Sequence, residues 1–270
     1  MVRRRPDLPA KVCPMSLSHC IERVTAQDPD RHLVLQGFPE AVQARLYPLY
    51  ALNLEIGRAA WVSREPLVCE MRLQWWADAL ERLGAGGGAK GHPVLEACGF
   101  LSGEAALCAQ IAGIVAARSW DVWSEPFEED DALFAHLEAT GGALMAVAAQ
   151  LCGAAGDPEP VRQFGTASAL ASWFRAVPEL EARGRWPLPE GNEAAVRRLA
   201  ARGTSLLAQA RAARGQVAKA ALPALLSGWQ TDGILDLVRR EPGRVAAGQL
   251  VVPDYKRRGS LAFRALTGRW

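Results

Sequence analysis

Apolar residues recur at intervals of three and four along most of this chain, and alternating stretches of β-branched residues are nearly absent. That periodicity predicts amphipathic helices and an all-α fold. The spacing places helices at 16–26, 38–60, 66–83, 93–117, 130–153, 158–176, 191–213, 217–227 and 231–240, with a last short one at 258–266. Glycine and proline punctuate them. In "LGAGGGAKGHP", residues 83–93, four glycines within five positions lose too much backbone entropy to stay helical, so this is read as a loop within a single domain spanning 1–270. Pro187 and Pro189 forbid a continuous helix, and Asn192 suits the N-cap of the helix that follows.

Composition narrows the class. With 50% apolar and 22% charged residues in 270, the chain can bury a substantial core. A net charge of +2 is too small to argue for nucleic acid. The charge is uneven, however: Arg3, Arg4, Arg5 and Lys11 open the chain, and Lys256, Arg257, Arg258, Arg264 and Arg269 lie near its end as basic tails. The terminal stretch "YKRRGSLAFRALTGRW" mixes those cations with Leu261, Phe263, Leu266 and Trp270. It suits contact with an anionic membrane surface or a membrane-bound partner, but docking of Phe263 and Leu266 into the chain's own core is the stronger expectation. The six cysteines make no dense disulfide framework and no secretory leader is evident, so reduced thiols and a cytoplasmic protein are expected. The apolar run 105–117 is too short to span a bilayer.

Common catalytic and metal motifs are missing. Cys13, His19 and Cys20 are close in sequence, but adjacent His and Cys do not readily share a tetrahedral site and no second cluster follows. His32, His92 and His136 form no H-E-x-x-H pattern, and "GAGGGAKG" lacks the complete phosphate-loop signature. No G-x-S-x-G is present.

The informative stretch is 46–82. In "LYPLYALNLEIGRAAWV", Tyr50, Asn53, Glu55 and Arg58 lie in a helix whose spacing is otherwise that of a buried one. In "EMRLQWWADAL", Glu70, Gln74, Asp78 and Glu81 form a polar stripe, while Arg72 meets Trp75 and Trp76 one turn on. A buried Arg72 needs an acidic partner, and Glu55 is the expected one, with a ligand-binding or a surface arginine as the alternatives. Further along, "ARSWDVW" sets Arg118 and Asp121 one turn apart, as at a helix end. The acidic run Glu125, Glu128, Glu129, Asp130 and Asp131 has the charge to bind a cation, but Asp130 and Asp131 also suit the start of the next helix, where negative charge meets the positive end of the helix dipole, and that reading is preferred.

These residues carry a family resemblance. Over nearly its whole length, and most specifically in "LYALNLEIGRAA" with "EPLVCEMRLQWWADAL" and in "FGTASALASWFRAVPELEARGRWPLP", the chain resembles the squalene and phytoene synthase family. The resemblance implies an isoprenoid synthase-like helical bundle around a central cavity. In active members two aspartate-rich motifs bind magnesium, which holds the diphosphates of two prenyl substrates and neutralises the leaving group.

The sequence departs from that pattern where the chemistry needs it most. Aligned from Leu49, Tyr50 and Ala51, the first-motif aspartates fall on Gly57, Arg58 and Trp61. In the second motif Arg175, Glu179, Gly184 and Arg185 match, but Ala176 and Leu180 replace aspartates, and Pro178 is expected to disrupt the helix. The remaining pattern is similar to a non-catalytic branch that includes a mitochondrial assembly factor for respiratory complex I. The expectation is therefore an interaction or assembly protein with a protein partner, without catalytic residues, metal or cofactor, cytoplasmic or peripheral to the inner membrane. Two alternatives stand beside it: a magnesium-dependent prenyltransferase condensing two prenyl diphosphates, and a module that binds an isoprenoid or lipid without chemistry.

Overall fold

A computed structural model describes residues 14–123 and 125–270. Arg3, Arg4, Arg5, Lys11 and Cys13, singled out above, lie outside the described residues. The chain is all-α, with no strand among the described residues. It divides into two compact units, 1–115 and 116–270.

The first unit contains α1 (Pro14–Gln27), α2 (Pro29–Leu35), α3 (Glu40–Ala59), α4 (Pro66–Gly84), α5 (Pro93–Ala97) and most of α6 (Ala105–Ala117). The helix α2 was not expected; Asp28 caps it by accepting from the Arg31 N–H at 3.1 Å, and Pro29 stands in its first turn. α3 packs on α1 and α4, and its Leu46, Leu49, Leu52 and Ile56 are all nearly inaccessible. In α4 the buried residues Cys69, Leu73, Trp76, Leu80 and Leu83 repeat at four and three, giving one continuous apolar stripe. Gly84 ends that stripe where a Cβ would lie 3.0 Å from the Cys108 side chain. The helix expected over 93–117 is interrupted: α5 gives way to a 3-10 turn at Gly99–Leu101, and Gly103 takes φ +84°, which an L residue rarely adopts.

The second unit contains α7 (Ser119–Trp123), α8 (Asp130–Leu137), α9 (Ala143–Leu151), α10 (Glu159–Ala182), α11 (Glu193–Ala212), α12 (Leu222–Leu226), α13 (Thr231–Arg240) and α14 (Asp254–Thr267). α10 is central, packing on α9, α11 and α13. The helix expected over 130–153 carries a π-helical turn at Glu138–Gly142 between α8 and α9. There, a Cβ on Gly141 would stand 2.4 Å from that of Ala169, and one on Gly165 would meet the Gly141 carbonyl and the Gly142 Cα at 2.9 Å. Three glycines thus let α10 approach backbone to backbone. Asp130–Leu151 is long and apolar enough to cross a membrane, but most of it is buried inside the protein.

Two expectations need correction here. Pro178 does not disrupt its helix: α10 continues through it to Ala182, so the cost is confined to the missing N–H and the local clash. The expected helix 217–227 is only partly α-helical, with a 3-10 turn at Lys219–Ala221 before α12, whose second residue is Pro223. By contrast α4 and α13 match their expected spans to within a residue, and Asn192 caps α11 by accepting from the Ala195 N–H at 2.9 Å.

Candidate functional site

In the first unit, Glu55 is carried on α3 among Leu52, Ile56 and Ala59, and is only 7% exposed. A carboxylate so placed needs a counter-charge. Arg23 supplies it from α1, in a direct ion pair. Arg23 is set there because Cys20 and Val24, both fully buried, fix the face of α1 that packs on α3. The expected Glu55–Arg72 pair is therefore incorrect. Arg72 is exposed, at the edge of the α4 stripe, and its guanidinium lies over the Trp75 ring at 5.7 Å. Its long stem lets the cation reach water without a buried partner.

A second cation acts on this pair. Burial, followed by repulsion from exposed Arg58, lowers the Arg23 pKa. His92 caps α5, accepting from the Val94 N–H at 3.2 Å, with its ring edge-on to fully buried Trp76 at 5.0 Å. Burial depresses its pKa first, and the charges of Arg72, His19 and Arg23 depress it further against the opposing Glu96. Tyr50 is buried beneath the Arg31 guanidinium, 4.7 Å from its ring centre, and Arg31 pairs with Asp28 at 2.7 Å. Asn53 is half-buried. Gln74 donates to Asp78 at 2.7 Å on the exposed face of α4, consistent with the polar stripe.

The second unit holds a different cluster. Arg118 and Asp121 pair at 3.0 Å, with Asp121 7% exposed. Around them, all six pairs among the rings of Trp120, Phe127, His136 and Trp173 are in contact, the closest being Trp120 stacked on Phe127 at 4.2 Å. Trp173 is fixed by its Nε1, which donates to the Pro187 carbonyl at 2.8 Å. His136 is 8% exposed and its Nε2 has no hydrogen-bond partner. Burial pushes its pKa down to about 4, Asp121 opposing and Arg118 assisting, so the ring is neutral at physiological pH. Arg185 donates to the Val122 carbonyl at 3.5 Å. Arg175 and Glu179 are exposed, and Glu179 pairs with Arg183 at 2.5 Å.

Sequence reasoning missed Arg23, His92 in its capping role, and the His136 cluster. Arg23 and the His136 cluster depend on partners far away in sequence, with only the burial periodicity of α1 as a signal for Arg23, whereas His92 caps a helix through Val94 two residues on, with Pro93 as its local signal. The acidic run behaves as read, with Asp130 and Asp131 in the first turn of α8. They also bind α11: Arg198 holds Asp130 through two bonds of 2.7 and 3.1 Å, and Arg202 pairs with Asp131.

Residues 24–191 match the sequence model described as Squalene/phytoene synthase. The chain belongs to this family. The squalene/phytoene synthase fold is also seen in a structural match to a dehydrosqualene synthase solved in complex with a ligand, with a TM-score of 0.76 and 15% identity, covering 95% of this chain and 98% of that one. At that identity the match shows the helical isoprenoid synthase fold alone. Among curated proteins, none matches the chain.

At the positions that the resemblance aligns with the family's aspartates, this chain has no carboxylate. Gly57 and exposed Arg58 occupy the last turns of α3, and α3 ends at Ala59, so Trp61 lies in the turn beyond it. Ala176 and Leu180, half-buried on α10, offer no carboxylate. No group of three or more His, Cys, Asp or Glu among the described residues is arranged to hold a metal ion.

Proposed function

We propose that this chain is a non-catalytic member of the squalene/phytoene synthase family that acts through protein interaction, in the assembly of a respiratory complex. The observation that carries this reading is the replacement of all five aspartate positions by Gly57, Arg58, Trp61, Ala176 and Leu180. Ionisation of an allylic diphosphate concentrates charge on the leaving group, and this chain lacks the aligned carboxylates that would hold magnesium against it. The buried acid of α3, Glu55, is committed to Arg23 as a structural pair. A fold relieved of chemistry retains its surfaces, and its likeness to the assembly-factor branch in "LNLEI" and "EMRLQWW" supports a partner-binding role.

The test is genetic and biochemical. Deleting the coding gene in its host is expected to lower the membrane content of assembled complex I on native gels, and re-expression should restore it. Undiminished complex I with a lost isoprenoid product would overturn the reading in favour of the prenyltransferase alternative.

A further inference from the structure

The C-terminal helix α14 is mounted with its polar face inward. Arg257, Ser260, Leu261 and Arg264 repeat at three and four and are its shielded residues, and no residue of the helix is fully buried. Arg264 is 15% exposed and pairs with Asp232 of α13, which Arg211 of α11 also grips through bonds of 2.5 and 2.7 Å. Burial alone would raise the Asp232 pKa, yet the two arginines outweigh it and hold the carboxyl below its usual range. Beyond the helix, Arg211 Nε donates to the Trp270 carbonyl at 2.7 Å, and the Trp270 ring meets Phe164 edge-on at 5.1 Å. The helix is thus pinned by an ionic latch and by its own C-terminal tryptophan.

The outward face is apolar. Tyr255 is 73% exposed, Phe263 57% and Leu266 88%. At 3.6 residues per turn, these three fall with Gly259 and Ala262 inside an arc of about 100°. Lys256 and Arg258 stand exposed on either flank of that arc. This corrects the expectation of Phe263 and Leu266 docking into the core, and it removes Arg264 from the cations free to reach outward. On an ordinary surface helix the apolar stripe faces the protein; here it faces out.

We infer that α14 docks the protein on an anionic lipid bilayer, with Tyr255, Phe263 and Leu266 entering the headgroup boundary, Lys256 meeting lipid phosphates, and Arg258 exchanging its exposed Asp254 carboxylate for a phosphate while Arg257 keeps Asp254 paired. An apolar stripe bordered by cations is the arrangement that interfacial helices use. The only acid of the helix, Asp254, is held by Arg257 at 3.0 Å and Arg258 at 2.9 Å, so no free carboxylate opposes the surface. The inference does not depend on whether the family's chemistry is retained.

The experiment uses the full chain with vesicles of phosphatidylcholine containing phosphatidylglycerol, and with pure phosphatidylcholine. Sedimentation is expected to show binding to the anionic vesicles that weakens with salt and falls about tenfold or more in Phe263→Ser/Leu266→Glu, because both apolar side chains are then lost from the interface. Both positions are exposed, and circular dichroism checks that helicity is retained. Hydrogen exchange supplies the local reading: amides of 254–267 should gain protection on anionic vesicles. Equal binding by wild type and variant, binding without protection of 254–267, or no binding by the wild type would overturn the inference, the last leaving the face to a protein partner.

Discussion

Replacing Arg23 by methionine isolates the charge of the Arg23–Glu55 pair while keeping much of its packing volume. Glu55 is 7% exposed, so the substitution strands a carboxylate in the core of the first unit. Removing one partner of a fully buried pair costs about 3–5 kcal/mol; since Arg23 is 21% exposed, water relieves part of that, and about 2–3 kcal/mol is expected. With a urea dependence of about 3 kcal/mol/M, the unfolding midpoint should fall by about 0.7–1 M. Glu55→Gln should restore part of the loss in the double variant, giving a coupling energy of about 1.5 kcal/mol or more, because it neutralises the stranded charge. Arg72→Ala is the control, expected to stay within about 0.5 kcal/mol because Arg72 is exposed. Equal midpoints for wild type and Arg23→Met at pH 8, or a larger loss for Arg72→Ala, would refute the pairing.

His136 makes the second unit sensitive to acid. Its folded pKa of about 4 lies below the unfolded 6.5, so its contribution is complete above pH 6.5 and is lost as pH falls towards 4, by about 3 kcal/mol in all; urea unfolding between pH 7.5 and 4.5 should show this loss, and His136→Phe should flatten it. Gly165→Ala is expected to destabilise by about 1–3 kcal/mol, since the added methyl meets backbone at 2.9 Å on the π-helical turn; an unchanged thermal midpoint would contradict the close approach of α10.

The strongest helices were legible because their buried residues recur without interruption. Cys69, Leu73, Trp76, Leu80 and Leu83 define α4 by spacing alone, and Asn192 announces the start of α11. What the pattern did not reveal is backbone detail that depends on contact. The π-helical turn exists where Gly141, Gly142 and Gly165 meet across two helices, and α10 tolerates Pro178 despite the local rule against it. The same holds for charge. Spacing reads Arg72 as the group in need of a partner and Glu55 as its nearest acid along the chain, whereas packing of α1 on α3 gives Glu55 to Arg23. The inverted mounting of α14 was likewise hidden, because a mixture of cations and apolar residues reads the same whichever face the Asp232 latch turns inward.

Product analysis tests the central claim most directly. The purified full chain is incubated at length with labelled farnesyl or geranylgeranyl diphosphate and either magnesium or manganese, and the organic extract is compared with a heat-inactivated control. With Gly57, Arg58, Trp61, Ala176 and Leu180 at the ligand positions, no condensed product above that control is expected. Turnover of two prenyl diphosphates into a squalene- or phytoene-like product would contradict the account and return the chain to the catalytic members of its family.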